Sequence, residues 1–385
     1  MLADYDRDFT AIEFLTGDNA YVNGRLADLI SKWLLTHKKF RRIVPLVGCA
    51  AHRLNLAVQH LVSKTVNKVW FDLILKIHTL MVDLKTIKNR PKLASVTSLS
   101  PKIRQDTRWN SIFEMILRYL ELCEKTNHFR SCVGLSAGTR TLVPTHEGAD
   151  NEHDKIKELH EILKKFDSTS KSLQFDDPTK VSFDRVRFYF DKLKTQHPEI
   201  AMYLSEDGIN VHNKPFESAI TKIQSAVRKK EMTVDLDRRE KEAVQVFLNV
   251  NENSESEEEE GERSFIELAD EEFEQQSSKR LRTEFPYRST AHVAATSVIA
   301  ERLFSRCGII MRPHRRLMDP STLEMLVLLR FNKDLWDEQE LDILIKSRTH
   351  RDNSLVVEII QEPFATPVSG GGSVSSISSN SSSNR

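Results

Sequence analysis

Residues 12 to 18 read Ile12-Glu13-Phe14-Leu15-Thr16-Gly17-Asp18, a short apolar run that ends on an acid. Such a run predicts a buried strand. From Val22 to Lys38 the period lengthens, and Leu26, Leu29, Ile30, Trp33 and Leu34 recur at three- and four-residue steps, as on one face of a helix. Ile43 to Val47 predicts a second strand, with Pro45 demoting it towards an edge. Ala50 to Val62 is helical again, through Leu54, Ala57, Val58, Leu61 and Val62. Strand, helix, strand and helix in that order predict an α/β unit.

Beyond it the alternation stops. Val69 to Leu84, Asn110 to Glu124, Asp154 to Leu173, Ser182 to Leu193, Phe216 to Val227 and Thr233 to Leu248 each predict an amphipathic helix. A Gly-, Thr- and Asp-rich loop from Gly134 to Asp154 interrupts this block. Asn251 to Glu274 is strongly acidic, with Glu257 to Glu260 in one run, and Lys279-Arg280-Leu281-Arg282 then reverses the sign. Like charges repel and stay solvated, so residues 251–290 predict a linker. The Ser/Gly/Asn-rich end of the chain, from Ser369 to Arg385, predicts disorder. Between these lie two more helices. One is capped by Thr296 or Ser297 and runs to about Cys307, with Gly308 just past its end. The other is opened by Asp319-Pro320 and is apolar nearly all round, through Leu323, Met325, Leu326, Leu329 and Phe331. A helix apolar on every side predicts burial against more than its own chain.

The chain has 385 residues, room for two or three domains. Lys plus Arg and Asp plus Glu number 56 each, so binding to a polyanion must come from local patches. Four scattered cysteines without a Cys-x-x-Cys pair fit reduced thiols inside a cell. The first residues carry no basic, apolar leader, and no stretch is long and apolar enough to span a bilayer, which predicts no membrane partner.

Four short motifs bear on function. They are Thr16-Gly17-Asp18-Asn19-Ala20-Tyr21-Val22-Asn23, then Cys49-Ala50-Ala51-His52-Arg53-Leu54-Asn55-Leu56-Ala57, then Thr107-Arg108-Trp109-Asn110-Ser111. The fourth and most specific is Ala295-Thr296-Ser297-Val298-Ile299-Ala300-Glu301-Arg302-Leu303-Phe304-Ser305, with Gly308 and Arg316-Leu317 beyond it. In this order, over roughly residues 10 to 335, they resemble the signature of hAT-family DNA transposases.

That resemblance implies an α/β plus mostly α fold. A partial RNase H-like core (1–64) is followed by a helical insertion domain (65–250), the charged linker (251–290), a C-terminal dimerisation region (291–348) and the disordered tail (349–385). It implies an Asp-Asp-Glu triad holding two Mg²⁺ ions, which clamp the oxygens of an in-line phosphoryl displacement. Asp18 would be its second acid and Glu301 its third, both as metal ligands. Cys49, His52, Arg108 and Trp109 would lie at the DNA end, Trp109 stacking on a flipped base. Phe304, Leu323, Leu326, Leu329 and Phe331 would form the dimer seam, to a second copy or a related hAT protein. The setting would be the nucleus.

The pattern departs from the family in one respect. Seventeen residues precede Asp18, and none of Asp4, Asp6 and Asp8 has the Asp-x-Trp context of the first acid. The family's N-terminal zinc finger is also absent. The expectation is a transposase-derived protein that dimerises and contacts DNA with catalysis weak or nil. Its competitor is a working transposase portion that needs further sequence or a longer partner. Bland roles compete at each position: Asp18 as a cap for the next helix, Cys49 as a buried thiol, His52 at a helix start, Trp109 as core, Glu301 as a solvated surface acid.

Overall fold

The computed structural model describes residues 8–39, 42–105, 108–125, 151–175, 178–249, 285–311 and 317–332. The acidic run, the Lys279–Arg282 cluster, the Ser/Gly-rich tail and most of the Gly134–Asp154 loop lie outside these residues. The chain divides into two units, Met1–Ile299 and Ala300–Arg385.

The first unit is mostly helical. Strand β1 (Leu15–Gly17) pairs in parallel with β2 (Leu46–Gly48), Leu15 opposite Leu46 and Gly17 opposite Gly48. Helix α1 (Tyr21–Lys38) connects them, as a parallel pair requires. Both strands are shorter than the apolar runs that predict them. Phe9–Ala11 is a 3-10 turn, and Pro45 lies outside β2, where its missing N–H costs no ladder bond. All three β2 residues are buried, whereas those of β1 are half-buried.

The helical block follows: α2 (Ala50–Leu61), α3 (Lys68–Lys85), α4 (Arg90–Ala94), α5 (Asn110–Lys125), α6 (Asn151–Ser172), α7 (Phe183–Gln196), α8 (Ala201–Leu204), α9 (Lys214–Lys229) and α10 (Arg238–Ala243). Caps mark the starts. Asn67 accepts from the Trp70 N–H, Asn213 accepts from the Phe216 N–H, and Asp237 with Glu240 forms a capping box. The helix expected over Thr233–Leu248 is limited to α10 plus a 3-10 turn at Gln245–Phe247, because the capping box at Asp237 fixes a later start. Helix α6 begins at Asn151, inside the expected loop.

One continuous core runs from Val47 on β2 through α2, α3, α5, α6, α7 and α9 to Ala295. A second, small cluster of Ile30, Leu34 and Val44 seats α1. The last residues of the expected linker belong to the core: Phe285 and Tyr287 are buried, and Tyr287 bridges Leu248 in antiparallel sense. Among the described residues, no helix is long and apolar enough to cross a membrane.

The second unit is described over two helices. Helix α11 (Val298–Ile310) starts at the end of the first unit, and α12 (Pro320–Phe331) is capped by Asp319, which accepts from the Ser321 and Thr322 N–H groups. Gly308 lies inside α11 and does not end it. Its φ is not positive and a Cβ there would meet nothing within 4 Å, so the helix has no need to turn there. Ile310 and Leu326 form a small apolar contact with Met318, Leu323, Met325 and Val327.

Candidate nucleic-acid interface

The first half of α2 is where the separated motifs meet. Parallel strands end on the same side, so Gly17-Asp18 and Gly48-Cys49 emerge together, and the Cys49 N–H donates to the Gly17 oxygen at 2.7 Å. Cys49 is the buried N-cap residue of α2, and its Sγ accepts from the Ser297 N–H at 3.4 Å. The Ala50 N–H donates to the Ala295 oxygen at 2.9 Å. Farther along α2, Asn55 Oδ1 accepts from the Trp109 N–H at 3.1 Å. Three further stretches, at residues 17, 109 and 295–297, are thus hydrogen-bonded to residues 49–55.

Asp18 uses its carboxylate locally. Its Oδ1 accepts from Asn23 Nδ2 at 2.7 Å and from the Ala20 N–H at 3.1 Å, which steadies the turn into α1. Asn19 Oδ1 lies 3.0 Å from His212 Nε2, and burial holds the His212 pKa below its ordinary value. A divalent Mg²⁺ favours a set of carboxylate oxygens. Among the described residues of the first unit, the polar side chains at Asp18 are the amides of Asn19 and Asn23 and, through Asn19, the His212 imidazole. That donor set does not fit the ion. Among the described residues, no three His, Cys, Asp or Glu side chains cluster so as to hold a metal. Glu301 is exposed on α11, in the second unit.

Trp109 is only 2% exposed. Its ring lies 6.3 Å from Phe113 and 6.5 Å edge-on from Phe166, so in this conformation the indole is core rather than an open platform. It nonetheless forms part of the lining of a cleft of about 220 Å³, together with Val62, Lys64, Phe71, Arg104 and Arg108. Arg108 and Lys64 are exposed at its edge and Arg104 is half-buried. The cleft is therefore cationic at the mouth and apolar below. His52 is half-buried in the first turn of α2.

Of the residues expected at the dimer seam, Leu326 and Leu329 are already covered by their own chain. Leu323 and Phe331 are half-buried, the Arg306 guanidinium lying 5.5 Å over the Phe331 ring. Phe304 is 71% exposed, and Ile309 and Leu328 are also exposed.

Several participants had no role in the sequence reading. Arg53 is buried, donating to Glu217 Oε2 at 3.0 Å, to the Ser205 oxygen at 2.8 Å and to the Tyr203 oxygen at 3.2 Å. The signal was available, because Arg53 shares a helical face with Ala50, Leu54 and Ala57, where a charge needs a partner. Glu217 and Gln224, one above the other among the buried residues of α9, carry the matching signal. Arg104 and Lys64 belong to no motif, and no pattern in the sequence places them together.

No family model, curated protein or solved structure matches the chain.

Proposed function

We propose that this chain is a protein of hAT-transposase descent. It binds DNA at the cationic cleft of Lys64, Arg104 and Arg108, and pairs through α11 and α12 with a second copy or a related hAT protein, in the nucleus. The observation that carries the reading is the convergence on α2. Four motifs strung over nearly 300 residues resemble one family's signature in order, and residues of all four are joined by hydrogen bonds at Cys49, Ala50 and Asn55. Residues that act on one ligand must be brought to one place, and unrelated matches have no reason to meet.

The cleft supplies the local positive charge that a neutral chain needs to meet a polyanion. The surface of α11 and α12 supplies exposed Phe304, Ile309 and Leu328 beside a small core, the kind of apolar area that a partner covers. The competing reading, a working transposase, calls for further carboxylates beside Asp18 to complete a two-metal site.

The test is fluorescence anisotropy of the full chain with a duplex of mixed sequence, titrated at several salt concentrations. Binding is expected to weaken steeply with salt, and Arg104→Ala and Arg108→Ala are each expected to lower the logarithmic slope by about 1. Binding that ignores salt, or variants that bind like the wild type, would remove the cleft from the proposal.

A further inference from the structure

Helix α7 carries an aromatic ring on the wrong side. Its inward residues are Phe183, Val186, Phe190 and Leu193, all buried. The opposite face should be polar. Phe188 lies there, 58% exposed, with exposed Arg185 one turn before it and exposed Lys192 one turn after. Lys192 Nζ sits 5.5 Å over the Phe188 ring, and the Tyr189 ring is 6.3 Å away. The same pairing occurs once more just upstream. Phe175 is 51% exposed, and Lys180 Nζ lies 5.7 Å over its ring, in the 3-10 turn Pro178–Val181 that packs on α7.

The neighbouring acids leave the face positive. Asp191 is paired with Arg187 and Lys194, and buried Asp184 with Arg228. Among the described residues, no carboxylate pairs with Arg185 or Lys192.

We propose that this face of α7 is a binding surface for single-stranded nucleic acid, separate from the cleft at Trp109. An exposed ring offers a base a stacking partner, and the cation beside it can move from ring to phosphate when a strand arrives. A duplex hides the faces of its bases, so the platform selects single strands. A protein partner would ask for contiguous apolar area, but the other outward residues, Arg185, Asp191, Lys192, Thr195 and Gln196, are polar. The surface stands on its own geometry and does not depend on the cleft.

The test is anisotropy of the full chain with labelled oligothymidylate, with light scattering of each variant. Phe188→Ala is expected to weaken binding about tenfold, the effect of losing one stacked base, whereas Phe188→Tyr keeps it. Lys192→Ala should lower the logarithmic salt slope by about 0.7, the single-strand value for one phosphate. Duplex affinity should not change in either. Phe188→Ala binding oligothymidylate like the wild type would overturn the proposal, and so would a drop in solution mass, which would make the face a protein contact. If Arg104→Ala and Arg108→Ala leave duplex binding intact while Phe188→Ala still costs single-strand binding, the cleft falls and this surface stands.

Discussion

Arg53 Nη1 donates to Glu217 Oε2 at 3.0 Å, with 7% and 9% of the two side chains exposed. This pair ties α2, where the motifs meet, to α9. The guanidinium also donates from Nε to the Tyr203 oxygen and from Nη2 to the Ser205 oxygen, and Glu217 Oε1 accepts from the Gly48 N–H at 3.4 Å. A buried pair with its hydrogen bonds filled is costly to break from one side. Arg53→Met is expected to lose about 3–5 kcal/mol in urea unfolding, and Arg53→Met with Glu217→Leu to recover most of that. Burial pushes the Glu217 carboxyl up, with Arg53 opposing. A carboxyl raised in the folded state takes its proton there first. The Arg53→Met deficit should therefore shrink as pH falls towards the ordinary carboxyl range and grow as pH rises. A double variant no better than the single one would show that the pair does not act as a unit.

Glu240 behaves in the opposite sense. Burial raises its pKa, but hydrogen bonds from Lys222, Ser218 and the Asp237 N–H outweigh this and hold it below the ordinary value. Its stabilisation is thus present above the unfolded carboxyl pKa and is lost as pH falls through the folded value. Glu240→Gln should cost roughly 1–2 kcal/mol at neutral pH, and the gap to wild type should close in acid. Thermal melts across pH measure this, and a gap that is constant with pH would assign the loss to packing alone.

Phe304 and Leu326, both assigned to the proposed seam, make different predictions. Leu326 is fully buried in its own unit, so Leu326→Ala should cost about 2–5 kcal/mol of that unit's stability whatever its oligomeric state. Phe304 is exposed, so Phe304→Asp should leave folding intact and lower the solution mass. A Phe304→Asp protein with unchanged mass over a range of concentrations would remove that side chain from the seam.

Two glycines separate packing from propensity. A Cβ at Gly48 would meet the Asn210 backbone oxygen at 2.8 Å, where backbone cannot easily give way. Gly48→Ala should destabilise by about 1–3 kcal/mol. Gly24, inside α1, has nothing within 4 Å of that position, and Gly24→Ala should stabilise by about 0.5–1 kcal/mol. Denaturant midpoints of the two variants should move in opposite directions.

The sequence alone determined whatever depends on neighbours a few residues apart. Apolar residues at three- and four-residue steps marked α1 to α3, α5 to α7 and α9, because a helix brings those positions onto one face. Asp319-Pro320 marked the start of α12, because cap and proline chemistry are local. The motifs at Asp18, Cys49, Trp109 and Glu301 were likewise legible as strings.

Contacts across long stretches of chain had no such signal. Only the tertiary structure decided that Asn55 holds the Trp109 backbone, that Cys49 receives Ser297, that Arg53 finds Glu217, and that Phe285 and Tyr287 leave a charged stretch for the core. It also decided that Leu326 is covered within its own chain while Phe188 faces solvent. The physical reason is one of scale. Periodicity and capping are set within a turn or two of backbone, whereas which apolar or charged group is covered depends on every element packed around it, and that packing is a property of the whole fold.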